Sequence, residues 1–410
     1  MKSIVFNKKY IIICLFFFNA SLAYSQVNIS NTSVASKYQY NTAIPISYRM
    51  AKVDSMYRFF LTIQLPQEVV FEEEYSMKYE IKTDYKSENI LLTRTLNFPV
   101  HGKGETPWEK YFRFDVAAHQ EYGVILIALK NKGTDEVYIL DIPLSEKLIY
   151  PPSEFTLNDI HSLFPVCSNY IHSNDTLYID NFNRDVTDFF IYRYKTDFSA
   201  ADPPMYRIKK NISKSMVVDS LFVVKAGDSF TLQKEALYLI QSDTSTLSGI
   251  GLRSHGAFYP KLASMEEIIQ PVIYLTTKTE IDKLMADENK KEAFETFWLD
   301  MTKSADGAQW IIRSYFDRIE EANYFFTNYK EGWKTDMGMV FIILGPPDEV
   351  YKDGEKESWH YRSEGKDPLV IFNFLHIKSL FTDQQYMLIR DNQYKSYWYK
   401  AIDSWRKGRN

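Results

Sequence analysis

The hydrophobic periodicity of this chain changes near Pro271, and that change constrains the fold more than any other feature. Before it, apolar and polar residues alternate in short runs such as 57–65, 79–83 and 122–129, a pattern typical of half-buried strands. After it, apolar residues recur every three to four positions, as along 293–301, which is the spacing of an amphipathic helix. We therefore expect strands in the first two thirds of the chain and a mixed last third.

Two boundaries divide the chain into three expected domains. Turn signals separate short strands up to residue 150, and Pro151-Pro152 ends that stretch. A second strand-rich stretch follows. The expected fold is multidomain: two antiparallel β-sandwich (Ig-like) domains at 26–150 and 151–271, followed by an α+β domain at 272–410.

The α+β domain is expected to place helices first and an antiparallel meander after them. Helices are predicted at 279–285 with Thr279 as the N-cap, at 293–301 and at 308–326. After Gly332 the period returns to two. The predicted strands are 337–344, 358–361, 369–374 and 385–390, and an aromatic helix is predicted at 394–405. The aromatic residues of that last helix either pack under the sheet, which we favour, or anchor an interface.

The first 25 residues are interpreted as a cleaved signal peptide. Basic residues precede an apolar run at 10–18, and Ala23 and Ser25 fit the small-x-small cleavage rule. An uncleaved anchor is the alternative. Later segments lack a run of 18 apolar residues, so we expect no transmembrane segment after signal cleavage. The expected location is the periplasm, with association with the outer membrane left open.

Composition excludes several classes of protein. The 30 tyrosines and 28 phenylalanines supply too much burial for a disordered chain. A net charge of -5 argues against a nucleic-acid partner. The seven histidines show no ligand spacing, and Cys167 is the single cysteine after residue 25. We therefore expect no metal and no cofactor, and we interpret Cys167 as a buried small side chain.

One group of residues in the last third carries a family resemblance. The group, called the signature residues below, consists of Gly332, Trp333, Thr335, Asp336, Gly345, Pro346, Pro347, Asp348, Trp359 and Tyr361. Together with the preceding long helix, their order resembles the GWxTD-domain family of exported bacterial proteins over about residues 272–405. The resemblance implies a module without implying a chemistry.

The residue types of the signature favour a structural role. We expect Gly332 to supply a backbone angle closed to other residues. Thr335 and Asp336 are expected to bond nearby amides and hold the entry into a strand. The turn 345–348 is expected to direct Asp348 and Glu349. Trp359 and Tyr361 alternate with a histidine, so both rings are expected to face the helices.

A functional interpretation starts from Arg318, which lies at the border of the apolar stripe of the long helix. Its guanidinium is expected to seek a carboxylate among Asp336, Asp348 and Glu349. We favour a buried salt bridge, and general acid–base catalysis is the alternative.

The sequence favours a non-catalytic protein of the cell envelope. Export, modular organisation and the lack of a catalytic cluster indicate a scaffold or interaction subunit with a protein or envelope component as partner. The alternative is a periplasmic hydrolase or carbohydrate-binding protein that uses carboxylates of the last domain.

Overall fold

The computed structural model of the protein describes residues 30–40, 44–96, 99–100, 108–162, 164–196, 198–206, 216–233, 235–362 and 370–408. The predicted signal peptide at 1–25 and its cleavage site lie outside these residues. No helix in the described part of the chain combines the length and the apolar character that a transmembrane helix needs.

The first two sheets pack around one shared core. Their strands are β1 (Ile46–Val53), β2 (Met56–Gln64), β3 (Tyr75–Lys82), β4 (Ile90–Leu96), β5 (Glu109–Ala117), β6 (Val124–Asn131) and β7 (Val137–Pro143), with a short helix α1 (Phe71–Glu74) before β3. The orders are β1-β2-β5 and β4-β3-β6-β7, and every pair is antiparallel. Phe59 from one sheet and Ile127 from the other lie fully buried in the core between them.

Two further sheets follow. Their strands are β8 (Phe155–Asp159), β9 (Tyr170–His172), β10 (Thr176–Asn181), β11 (Asp188–Tyr194), β12 (Val218–Lys225), β13 (Ser229–Thr231), β14 (Ala236–Gln241) and β15 (Ile250–His255). The orders are β13-β10-β8 and β12-β11-β14-β15-β9, and the pair β15–β9 is parallel. Leu177 and Ile191 are buried in the core that these two sheets share.

The last part of the chain packs helices against a four-stranded sheet. Its elements are α2 (Met265–Ile269), α3 (Lys278–Ala286), α4 (Lys290–Thr302), α5 (Ala305–Phe326), α6 (Asp336–Leu344), β16 (Glu349–Lys352), β17 (Lys356–Tyr361), β18 (Val370–His376), β19 (Tyr386–Leu388) and α7 (Lys395–Arg406). Strands β16 to β19 form an antiparallel meander in chain order. The mixed character expected of this part is therefore confirmed.

The prediction of a strand at 337–344 is wrong, because this segment is helix α6. Its residues from Met337 to Ile343 are all buried, so the run is apolar on every side. Such a run has no periodicity that separates a buried strand from a buried helix. The N-cap of α3 is likewise Thr277 rather than Thr279, since the Thr277 side chain accepts a hydrogen bond from the Glu280 amide.

Candidate functional site

The segment 332–336 forms a tight turn that starts helix α6. Gly332–Lys334 is a single turn of 3-10 helix, and Thr335 is the N-cap of α6. The Thr335 hydroxyl accepts from the Gly338 amide at 2.9 Å and donates to the Gly332 carbonyl at 2.7 Å. Thr335 therefore bonds the backbone as expected, but it begins a helix and not a strand.

Gly332 is required for a reason other than the expected backbone angle. A Cβ at this position would overlap the carbonyl oxygen of Ala322 on α5, and one at Gly338 would overlap the carbonyl oxygen of Gly332. The turn therefore lies directly on the backbone of the long helix. Only a residue without a side chain allows this approach. Gly332 is not among the described glycines with a positive φ, so the expectation of a special backbone angle is wrong.

Trp333 and Asn323 connect the turn to the surrounding helices. The buried Trp333 donates its backbone amide to Asn323 Oδ1 at 3.0 Å, and its carbonyl accepts from the Tyr274 hydroxyl at 2.8 Å. Asn323 Nδ2 donates to the carbonyl of Pro260 at 2.9 Å. These contacts pair backbone and side-chain polar groups around the buried residues of the turn, as burial requires.

Asp336 pairs with Arg390 and not with Arg318. Arg390 Nη2 lies 2.5 Å from Asp336 Oδ1, and its Nη1 donates to Oδ2 at 3.2 Å. The Leu388 amide also donates to Oδ2, at 2.8 Å. Asp336 therefore links the first turn of α6 to strand β19 and the segment after it, and the favourable position of an acid at a helix N-terminus adds to this.

Arg318 contacts the C-terminal end of α6. Its Nη1 donates to the Phe341 carbonyl at 3.4 Å, and a Cβ at Gly345 would lie 2.5 Å from the same nitrogen. Gly345 has a φ of +86°, where glycine is favoured. The expectation that Arg318 binds Asp336, Asp348 or Glu349 is wrong, because those three carboxylates have other partners.

The turn after α6 directs its acids towards β17. Pro346 is exposed and Pro347 is buried. Asp348 Oδ2 accepts from the Arg362 amide at 2.6 Å, and Arg362 Nη2 donates to both carboxylate oxygens of Glu349 at 2.8 Å. Both acids lie at the surface, where each contributes little to stability.

Trp359 and Tyr361 face the helices, as expected. The Trp359 ring is fully buried and lies 5.7 Å from the ring of Phe326 on α5. Its Nε1 donates to Glu357 at 2.7 Å. The Tyr361 hydroxyl donates to the Gly345 carbonyl at 2.9 Å and so ties β17 to the end of α6.

Comparison with known protein families matches residues 236–407 to the GWxTD domain. The C-terminal part of this chain is a GWxTD domain. The match begins at β14, so it includes two strands of the five-stranded sheet as well as the helices and the meander. A comparison with curated proteins finds no significant match.

A buried charged cluster joins the GWxTD domain to strand β7, and the sequence analysis did not predict it. Lys352 Nζ lies 2.9 Å from Asp141 on β7 and 3.2 Å from Glu357. Burial alone would raise the pKa of Asp141, but the ammonium charges of Lys352 and Lys37 lower it to about 2. The alternation of β16 indicates that Lys352 points inwards, but it does not reveal a partner this far away in the sequence.

A second buried cluster joins β15 to the residue before Gly332. Arg253 Nη2 binds Glu331 Oε1 at 2.9 Å, and Arg253 Nε donates to His255 Nε2 at 3.1 Å. Burial raises the pKa of Glu331, and the charges of Arg253 and Lys334 outweigh this and lower it. This cluster places β15, one of the two strands at the start of the family match, against the residue that precedes the GWxTD turn.

A cavity of about 270 Å³ lies where β1, the segment 149–153 and the segment 379–384 meet. Among the described residues that line it, Asp383 is the one carboxylate, and it accepts a hydrogen bond from the Tyr48 hydroxyl. Cys167 also lines the cavity, and burial raises the pKa of its thiol to about 11. None of the three carboxylates suggested by the sequence lies in this lining.

The aromatic C-terminal helix packs against the core of the GWxTD domain. Trp398 and Trp405 are buried, and Trp405 Nε1 donates to the Ile343 carbonyl at 3.0 Å. Tyr399 is exposed. No group of three or more histidine, cysteine or acidic side chains in the described ranges is arranged to hold a metal ion.

Proposed function

We propose that the protein is a non-catalytic scaffold or protein-interaction subunit of a cell-envelope complex. The observation that carries this proposal is that the signature residues bond to other groups of the same chain. Gly332, Trp333 and Thr335 are buried in a turn on helix α5, and Asp336 is bound by Arg390 and a backbone amide. Groups that must bind a substrate need lone pairs or protons directed at an open site. These groups are directed at the protein instead.

The proposed architecture has two Ig-like β-sandwich domains, at 26–150 and 151–271, before an α+β domain at 272–410. The shared core of the first two sheets supports the first unit, and the shared core of the next two supports the second. Fully buried ionic contacts between Asp141 and Lys352 favour a fixed arrangement of the first and last units. A scaffold needs such a fixed arrangement to hold its partners at a defined spacing.

The proposed location is the periplasm, reached through a signal peptide that is cleaved after Ser25. The basic start, the apolar run at 10–18 and the small residues Ala23 and Ser25 support it. N-terminal sequencing of the protein from its host should begin at Gln26. A protein that keeps Met1 and stays in the cytoplasm would refute this location.

The hydrolase alternative requires two carboxylates that face a common cleft at the spacing of a general acid and its partner. Asp348 and Glu349 are bound to Arg362, and Asp336 is bound to Arg390. These pairings favour the scaffold.

The test combines cross-linking with substitutions that distinguish a scaffold from a hydrolase. The tagged protein would be cross-linked in its host envelope, and the partners would be identified by mass spectrometry. Asp348→Asn and Glu349→Gln should keep the same partners, because both side chains lie at the surface away from the core. A folded variant that keeps its partners but no longer supports the cellular role of the protein would indicate an active site and would overturn the scaffold.

A further inference from the structure

The cavity of about 270 Å³ lies where the first two sheets, the next two sheets and the GWxTD domain meet. Its lining includes Leu140, Ile250 and Phe381, one from each of these parts, and most of the described lining residues are aliphatic or aromatic. Tyr40 and Leu247 also line the cavity and are 40% and 54% exposed, so the cavity reaches the surface. Small-molecule sites are typically concave, mostly apolar and located at such junctions.

Three of the described lining residues carry a charge, and one of them is already bound. Arg49 Nε donates to the Val166 carbonyl at 3.0 Å, and Arg49 Nη2 donates to the Ser168 carbonyl at 2.9 Å. The other two charged residues of the lining are Lys37 and Asp383. These two described residues form no ion pair with each other, so a cation and an anion stand apart in one cavity.

Lys37 is a half-buried cation without a bonded anion. Its Nζ makes no hydrogen bond or ion pair to any residue that the structure describes, and it lies 5.6 Å from the centroid of the Tyr38 ring. The acids Asp141 and Glu357 are both bound by Lys352. The ammonium group of Lys37 is therefore left for another partner.

The surroundings of Lys37 favour an additional anion. Burial, followed by the charge of Lys352, lowers the pKa of Lys37, although the charges of Asp141, Glu357 and Asp383 act in the opposite direction. The charged ammonium is disfavoured in this position because burial removes water and no acid contacts it. A carboxylate brought by a ligand would stabilise the ammonium through a charge-assisted hydrogen bond.

Asp383 offers the complementary group. Its Oδ2 accepts from the Tyr48 hydroxyl, whereas its Oδ1 accepts no hydrogen bond from a described residue. His376 Nε2 lies 2.8 Å from the Asp383 carbonyl oxygen and holds this segment against β18. Asp383 is close enough to Lys37 for its charge to act on the ammonium without contact. Its Oδ1 is therefore available to a cationic group of a ligand.

We propose that this cavity binds a free α-amino acid with an apolar side chain. Lys37 binds the carboxylate of the amino acid, Asp383 binds its ammonium group, and its side chain packs against the apolar lining. One free cation and one free anion match the two charges of a zwitterion. A simple carboxylate would leave Asp383 unmatched, and a simple amine would leave Lys37 unmatched.

The size of the cavity agrees with such a ligand. Its volume of about 270 Å³ is just below the range of ~300–1,000 Å³ that is typical for drug-sized ligands, so it suits a smaller molecule. This binding site goes beyond the scaffold function proposed above and does not depend on it.

Isothermal titration calorimetry of the full chain with three matched probes tests the proposal. Phenylalanine, 3-phenylpropanoate and 2-phenylethylamine share the ring, and the last two each lack one charged group. Phenylalanine should bind, and each analogue should bind about tenfold or more weakly because it loses one charge-assisted bond. An analogue that binds as tightly as phenylalanine would overturn the zwitterion. Failure of both phenylalanine and leucine to bind at about 10 mM would overturn the site.

Two substitutions assign the charged groups of the ligand to their partners. Lys37→Met should weaken phenylalanine about tenfold and leave 2-phenylethylamine unchanged, because that probe has no carboxylate. Asp383→Asn should weaken phenylalanine and leave 3-phenylpropanoate unchanged. Lys52→Met is the control, since Lys52 is not among the described lining residues, and it should bind like the wild type. A folded Lys37→Met variant that binds phenylalanine with wild-type affinity would refute the proposal.

Chemical protection tests the same site in the wild-type chain. The protein would be acylated with acetic anhydride, and the modification of each lysine would be followed by mass spectrometry. Saturating 3-phenylpropanoate, which has no amine to react, should slow the acylation of Lys37 and leave that of Lys52 unchanged. Equal rates at Lys37 with and without this probe would contradict its role in binding a carboxylate. This measurement decides the question if Lys37→Met fails to fold.

Discussion

Lys352 Nζ lies 2.9 Å from Asp141 Oδ1, and this pair joins two sheets through residues 211 positions apart in the chain. Both side chains are buried, and Glu357 Oε2 lies 3.2 Å from the same ammonium. Tyr85 donates to Asp141 at 2.9 Å and Tyr38 donates to Glu357 at 2.6 Å. The N-terminal sheets are thus held to the GWxTD domain by charges that water does not screen.

Lys352→Met should destabilise the protein by about 3–5 kcal/mol, because it removes the cation that is bound to both buried carboxylates. Chemical denaturation measures the loss. Lys52→Met is the matched control. Its ion pair with Glu154 is exposed, so the loss should stay below about 1 kcal/mol. Adding Asp141→Asn and Glu357→Gln to Lys352→Met should recover much of the stability. Equal losses from the two lysine variants would contradict a buried ionic link.

His255 should make stability fall as the solution is acidified from about pH 6.5. Burial, followed by the charge of Arg253, lowers the pKa of His255 to about 3. In the unfolded chain the imidazole titrates near ~6.5. Between these values the unfolded state binds more protons, so the free energy of unfolding decreases by up to about 1.4 kcal/mol per pH unit. Above about pH 6.5 this contribution is fully present.

His255→Gln should flatten that slope between about pH 6.5 and 4.5, which urea denaturation at several pH values would measure. His119→Gln is the control, since His119 is exposed. The carboxyl group of Asp141 affects stability at a lower pH than His255 does. Its folded pKa of about 2 lies below the unfolded value of ~3.9, so its contribution is present above about pH 4 and is lost between about 4 and 2. An unchanged slope in His255→Gln would refute the assignment.

Gly332→Ala should destabilise by about 3 kcal/mol or more, because its Cβ would overlap the backbone of Ala322, which cannot move without displacing α5. Gly307→Ala is the matched control. Its Cβ would meet no atom closer than 3.5 Å in the first turn of α5, so the change should be neutral or stabilising by up to about 1 kcal/mol. Similar melting temperatures for the two variants would show that the turn is not closely packed.

Trp333→Ala should lower the free energy of unfolding by about 3–5 kcal/mol, as the loss of a large buried aromatic does. Asp336→Asn should cost about 1–3 kcal/mol through weaker bonds to Arg390 and the Leu388 amide. Thermal unfolding and the ability to support the cellular role of the protein would be measured for each variant. If the protein is a scaffold, the loss of function should parallel the loss of stability. A stable Asp336→Asn variant without function would favour an active site.

The sequence by itself determined the secondary structure wherever one face of an element meets solvent. The apolar stripe of α5 and the alternation at the start of β11 reveal those elements, because their buried and exposed faces differ in composition. The signature residues likewise identified the GWxTD domain. Their buried role could be predicted from Trp333 and Thr335, since an aromatic ring and a capping hydroxyl act locally.

Only the tertiary structure decided the rest. Residues 337–344 are apolar on all sides, so a helix and a strand fit their composition equally well, and the Thr335 cap together with α5 selects the helix. The partners of Arg318, Asp336 and Lys352 depend on which distant segments come together. Burial then makes each pairing nearly obligatory, because an unpaired charge in the interior is far more costly than one in water.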